Sequence, residues 1–373
     1  MALNWRTETQ RPASAQFSAI GPADGASPEE HAHRLSVPAY VYPLFENALR
    51  HHYRRSIEDH RQAIGRLMSR FSRVAADNPR AWFRQFRTPA EIITPSPTNR
   101  NIAWPYTKMM NAMLMVNQSA ALLVTSQAEA ERLGVGHGRA VYLHGYAEAA
   151  DHWQVLSRED YHSSPAIRAI ADKLRADTGW TPADMDFFDL YSCFPVAVQM
   201  TRDMFGISED DDRCLTVTGG LPYFGGPGNN YVMHAIAEMV EVLRKHPGRR
   251  GLVTGNSFYL TRHCAAIYST APLAGACWRS GLTDCQRAVD RRPRPKIAAD
   301  PTGVGRVETY TVIFDQNGRP EMGLLIGRTE DDQRFAAYTP KDMDLLTAMT
   351  SEDFYGVRGN VTREGMVNTF VPL

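Results

Sequence analysis

The sequence predicts an α/β layered domain followed by a small antiparallel β domain. Three observations carry this expectation. Between about residues 121 and 269, short apolar runs of strand length alternate with longer amphipathic segments. Three of those runs end in polar or glycine-rich loops, the places where α/β sheets gather ligands. After Trp278 the texture changes to an Arg- and Pro-rich stretch. Beyond it, β-rich runs are separated by turn residues, with Asn317-Gly318 the strongest hairpin signal.

The composition narrows the class. The chain has 373 residues, with 41 Lys plus Arg against 41 Asp plus Glu. A net charge of zero argues against a general nucleic-acid binder, whose phosphate contacts need a basic surplus. Apolar residues make up 43% and charged residues 22%, enough to build a core. No apolar run approaches the ~18 residues of a membrane span, and MALNWRTETQ lacks the apolar region of a secretory signal. The five cysteines (193, 214, 264, 277, 285) show no C-x-x-C pair. Neither a disulfide framework nor a metal site is expected, and the reducing cytoplasm is the expected compartment.

Residues 1–37 read as an irregular leading segment. Tyr42–Ala76 reads as helical, with Leu44, Ala48, Ile57, Ile64, Leu67, Met68 and Phe71 along its apolar face and Pro79 as its stop. His51, His52 and His60 fall on this stretch and read as a solvated face rather than metal ligands. Ala81–Ile93 reads as a short helix, Ala121–Thr125 as a buried strand, Gln127–Leu133 as a helix closed by Gly134, and Ala140–His144 as a strand. Pro165–Thr178 is helical up to Gly179. Phe187–Tyr191 reads as a buried strand, and Pro195 opens the helix that runs to Phe205. Leu215–Gly220 reads as a strand entering the loop GGLPYFGGPGNN, which leads into an amphipathic helix carrying Val232, Ile236, Met239, Val240 and Leu243. Gly251–Thr254 and Ala265–Ser269 are strands flanking GNSFYLTRH. The α/β core is thus expected over 38–278, a linker over 279–303 and a barrel-like β domain over 304–373, with a short helix at 341–349.

Three loops are candidate sites: Asp189–Pro195, Gly219–Asn230 and Gly255–His263. Cys193 stands before a helix N-terminus, where the dipole would favour thiolate, though free Cys also packs at such corners. The glycine loop fits either a phosphate cradle or a backbone corner needing positive φ. His263 qualifies as a base through its near-neutral pKa, and Tyr191, Tyr223, Tyr231 and Tyr259 surround the loops.

At these loops the sequence resembles the thiolase superfamily, in the branch of sterol-carrier-protein-type thiolases and thiolase-like proteins type 1, often labelled acetyl-CoA acetyltransferase. The resemblance covers about 38–277 and rests on YPLFENALR, FSRVAADNPRAW, NRNIAWPYTKMMNAMLMVNQSAALLVTS, DLYSCFPVAVQ, LTVTGGLPYFGGPGNNYVMHAI and TGNSFYLTRHCAAIYST. The stretch from about Gly303 resembles the additional C-terminal β domain of the type 1 proteins.

The resemblance implies a layered αβαβα fold, with its N-terminal half incomplete here, plus the small β domain. It implies a coenzyme A thioester as substrate or ligand, with no other cofactor. It also shows departures. Tyr191 stands where the family has His or Asn, and Gly226 replaces the His of Gly-His-Pro. No Cys accompanies Gly255-Asn256-Ser257, and no Cys precedes Cys193 to act as nucleophile. Tyr191, Cys193 and His263 are therefore the candidate catalytic residues, and Tyr223, Gly225, Gly226, Asn229 and Asn256 the candidate thioester-binding residues. Three functions follow from the resemblance: an acyltransferase-like acyl-CoA-handling protein, a retro-aldol carbon–carbon lyase working with a small OB-fold partner, or a non-catalytic thioester-binding subunit. A homodimer is the other expected assembly. The three loops are expected to share one cleft.

Overall fold

The computed structural model describes residues 25–272 and 282–373. Its helices are α1 (Pro28–Ala32), α2 (Pro38–His52), α3 (Ile57–Asp77), α4 (Pro89–Ile93), α5 (Gln127–Arg132), α6 (Pro165–Thr178), α7 (Pro195–Phe205), α8 (Tyr231–Lys245), α9 (Leu282–Asp290) and α10 (Met343–Ser351). The strands are β1 (Asn101–Ala103), β2 (Tyr106–Thr107), β3 (Tyr142–Ala150), β4 (Phe187–Asp189), β5 (Arg250–Ser257), β6 (Arg262–Ser269), β7 (Gly303–Phe314), β8 (Pro320–Thr329), β9 (Arg334–Tyr338), β10 (Arg358–Glu364) and β11 (Val367–Pro372).

The layered part is built on a four-stranded sheet ordered β3-β6-β5-β4. β4 runs parallel to β5, and the other pairs are antiparallel. Helix α8 covers one face, where Gly251 lies against Met239 and Gly255 against Val232. Helix α6 covers the other, where Gly145 lies against Leu174 and Thr178. The free edge of β3 is closed by α9: Gln286 accepts from Ala150 N at 2.8 Å and donates to Ala150 O at 3.0 Å.

In the C-terminal part, β7 pairs with both β8 and β10, so β7-β8-β9-β11-β10 closes on itself as a five-stranded barrel. Helix α10 lies between β9 and β10, and β1–β2 extends the sheet from β7. Helix α2 is buried at every position from Val41 to Arg50, as befits a helix enclosed by both parts. Asn47 Nδ2 donates to Tyr310 O at 2.8 Å, and Thr309 Oγ1 donates to Leu44 O at 2.5 Å. Arg334 is fully buried; it pairs with Glu308 at 2.6 Å and donates to Leu156 O at 2.9 Å. These contacts fasten the barrel to the layered core.

Several local expectations are corrected. The single helix over 42–76 is two, because Arg54 adopts φ +56° and Ser56 caps α3 through Asp59 N at 3.1 Å. Only Pro89–Ile93 of the 81–93 segment is helical, started by a Thr88–Glu91 capping box. Ala121–Thr125 forms no strand, and Leu123 and Val124 are each 87% exposed. Leu215–Gly220 is irregular: Leu215 O accepts from Leu190 N at the end of β4, and beyond it the backbone bonds to Asp189 and to its own threonines. Helix α9 lies within the span read as a linker. His60 is not solvated: it faces the core and its Nε2 lies 2.6 Å from Glu46 Oε1, a carboxylate that also accepts from Gln199 and Tyr106. Cys277, Trp278 and residues 1–24 of the leading segment lie outside the described residues.

Candidate functional site

The hairpin formed by β5 and β6 places Asn256 directly across from His263. Both line a cavity of about 460 Å³, together with Glu148, Arg262, Cys264 and Gln286. Asn256 Nδ2 donates to Tyr42 OH at 2.9 Å and approaches Cys193 Sγ at 3.7 Å. Its Oδ1 is buried with no donor among the described residues. Tyr42 fixes this assignment of the amide. Its hydroxyl donates to Phe258 O at 3.0 Å and accepts from Leu260 N at 3.2 Å, so it takes a further donor, not an acceptor.

His263 is buried, with Nε2 3.5 Å from Asp151 Oδ2, an ion-pair distance without hydrogen-bond alignment. Asp151 also accepts from Ser164 Oγ at 2.5 Å and from Ala166 N at 3.0 Å, with Arg158 Nη1 at 3.7 Å. Burial by itself would raise the Asp151 pKa. The imidazole, the guanidinium and the hydroxyl outweigh it and hold the carboxyl below its usual range. Arg158 is fixed by His152 O at 2.6 Å and Tyr259 O at 2.9 Å. The result is a carboxylate-braced imidazole in a cavity wall, beside an unanswered acceptor.

Cys193 is buried behind Asn256. Burial pushes its thiol up to about 12, beyond what the Tyr42 hydroxyl and the nearby backbone N–H groups recover. The expected helix-dipole thiolate is therefore overturned by desolvation. Tyr191 packs edge-on against Tyr231, with ring centroids 5.6 Å apart, and burial raises its pKa.

The expected single cleft does not form. Tyr223 lines a separate cavity of about 480 Å³ with Phe83, Arg84, Arg87, Lys108 and Met113. Gly225, at φ +116°, lies beneath Gln118, and the Gly226 N–H donates to Met113 O at 2.9 Å. The segment 112–118 crosses the glycine loop: Met113 N bonds to Leu221 O, Ala112 N to Cys193 O, and Gln118 Nε2 to Phe224 O. Asn229 is exposed on the turn Gly228–Asn230. Of the candidate residues, the structure thus joins Asn256, His263 and, behind them, Cys193; it sets Tyr191, Tyr223, Gly225, Gly226 and Asn229 apart from that cavity wall. Sequence reasoning missed Tyr42, Asp151, Arg262 and Gln286. Tyr42 opens the quoted word YPLFENALR, Arg262 lies inside the quoted hairpin, and Asp151 and Gln286 carry no local signal.

The fold and this site define a thiolase-like α/β protein with an appended β barrel. Residues 284–366 match the family described as the thiolase-like protein type 1 additional C-terminal domain. The crystal structure of a monomeric SCP2-thiolase-like protein type 1 from Mycobacterium smegmatis is 36% identical. It superposes with a TM-score of 0.86 over 94% of this chain and 76% of that one. The chain belongs to the SCP2-thiolase-like protein type 1 family. An Ltp2–ChsH2(DUF35) aldolase shares the fold at 20% identity, with a TM-score of 0.55 over 69% of this chain and 70% of that one. No curated protein matches. Among the described residues no helix is long and apolar enough to cross a membrane.

Proposed function

We propose that the protein binds a β-hydroxyacyl thioester in the Asn256–His263 cavity and cleaves it by a retro-aldol route. The observation that supports this reading is the buried, unanswered Asn256 Oδ1 beside an imidazole braced by Asp151. A ligand hydroxyl supplies the missing donor and removes the cost of a lone buried acceptor. With Nε2 turned to Asp151, His263 offers its other ring nitrogen as base. The hydroxyl proton passes to the imidazole, the hydroxyl carbon becomes a carbonyl, and the Cα–Cβ bond breaks. The bond's electron pair moves into the thioester as an enolate, and Cα then takes a proton from the imidazolium. Arg262 in the same wall offers positive charge to the enolate oxygen. The step is redox-neutral and uses no cofactor beyond the coenzyme A thioester itself.

An acyltransferase route through Cys193 is disfavoured by its burial and raised pKa. The fold shared with the Ltp2–ChsH2(DUF35) aldolase is in keeping with lyase chemistry. On this reading the chain's own five-stranded barrel takes the place of a separate OB-fold partner, and the relative described as monomeric supports a single-chain unit over a homodimer. A second reading, thioester binding without turnover, is favoured by one fact: the Asn256 N–H groups are already committed, which leaves one fewer donor for an oxyanion.

Incubation with 3-hydroxyacyl-CoA, with mass spectrometry for the released carbonyl fragment, separates the readings. Turnover that His263→Gln lowers by about 10²-fold or more supports cleavage. Saturable binding without product supports the second reading. Neither binding nor product overturns both, and condensation of acetyl-CoA that depends on Cys193 returns the acyltransferase.

A further inference from the structure

A second cavity, of about 1170 Å³, opens between the α2–α3 turn and the barrel and shares no lining residue with the Asn256–His263 cavity. Its wall carries four arginines: Arg50, Arg54, Arg55 and Arg61. Three guanidinium nitrogens of these arginines are buried with no partner among the described residues: Arg50 Nε, Arg55 Nη1 and Arg61 Nε. The Arg50 side chain is only 5% exposed. Asp353 at 2.6 Å and Arg55 O at 3.0 Å hold its other two nitrogens, so its position is fixed while Nε is left over. The N-terminal end of α3, a helix of 21 residues, forms part of the same wall through Ser56 and Ile57.

The four carboxylates of this wall are answered inside the protein. Glu308 is shared by Arg328 and Arg334, which stand behind it outside the cavity. Asp353 pairs with Arg50, Glu58 accepts from Arg61 and Gln62, and Asp160 accepts from His162 N and Ser163 N. Arg50, Arg55 and Arg61 pair with Asp353, Glu209 and Glu58, yet one nitrogen of each is left without an acceptor. Buried guanidinium N–H groups call for acceptors. Several donors on separate arginines, beside a helix N-terminus, suit a compact polyanion with oxygens in several directions better than a planar carboxylate.

We propose that this cleft between the α2–α3 turn and the barrel binds a phosphate-bearing small molecule. The site is independent of the thioester reading. Calorimetric titration of the full chain at constant ionic strength tests it, with inorganic pyrophosphate and inorganic phosphate as probes and chloride as control. Saturable one-site binding of pyrophosphate is expected; tighter binding of pyrophosphate than of phosphate would identify a diphosphate-type group, and equal binding a single phosphate. Arg50→Lys keeps the Asp353 partner but deletes Nε–H, and Arg55→Gln deletes another donor; each is expected to weaken binding about tenfold. Arg54→Gln, at an exposed position with no ion pair among the described residues, guards against misfolding and is expected to weaken pyrophosphate while leaving thioester binding unchanged. Binding no different from chloride, binding indifferent to all three substitutions, or equal loss of thioester binding in Arg54→Gln would each overturn the proposal.

Discussion

The glycine-rich loop and the β5–β6 hairpin make the instructive pair, since sequence gave both equal standing as site loops. Around the glycine loop most polar groups are answered within the protein, Tyr223 OH being buried without a partner among the described residues. Asp189, fully buried, accepts from Thr216 Oγ1 at 2.9 Å, Val217 N at 3.0 Å, Thr218 N at 3.1 Å and Tyr231 OH at 3.1 Å. Gly219, at φ +111°, lies against the backbone of Ala75, so a side chain there would collide with α3. The glycines serve a tight corner, not a phosphate cradle. The hairpin does the opposite: it places an acceptor without a donor beside a braced imidazole at a cavity. Saturated groups stabilise a fold, and unsaturated ones mark where a ligand completes it.

That contrast predicts unequal responses to substitution. The largest effect on stability is expected from Asp189→Ala, which orphans several buried donors at once; a loss of about 3 kcal/mol or more should appear in urea denaturation. Gly225→Ala adds a side chain at positive φ beneath Gln118 and should cost about 1–3 kcal/mol by the same measurement. Asn256→Ala should change stability by about 1 kcal/mol or less while abolishing saturable thioester binding. If Asn256→Ala proves as destabilising as Asp189→Ala, the hairpin is structural too and the contrast fails.

The smallest effect concerns pH. The Asp151 pKa is held below its unfolded value, so its contribution to stability is present above the unfolded pKa of about 3.9. That contribution is lost as pH falls through the lower folded value. Denaturation midpoints below about pH 4 should therefore fall less steeply for Asp151→Asn than for the parent chain. An unchanged slope would mean that His263 and Arg158 do not hold the carboxylate as the geometry indicates.

Much of the fold was legible because its signals are local. Pro165 and Gly179 bracket α6, Pro195 opens α7, and Asn317-Gly318 turns β7 into β8. Those residues act through their own φ and ψ preferences, which neighbours do not change. The site was legible only in part. Asn256 stands out through the family resemblance and His263 through its chemistry, and their cross-strand pairing brings them together. Tyr223 and Gly226 stand in the same family motifs, yet the segment 112–118 cuts them off by backbone bonds that no local pattern announces.

By itself the sequence determined the alternating α/β order, the appended β domain and the family words, because these depend on periodicity, turn residues and motif order. Tertiary structure alone decided which groups are buried and who answers them. It placed His60 on Glu46, Gln286 on the β3 edge and Asp151 beside His263, partners 14, 136 and 112 positions away along the chain. The same enclosure turned a thiol at a helix start into an inert one. Desolvation and hydrogen-bond completion are properties of the packed environment, and a residue acquires them only when distant segments close around it.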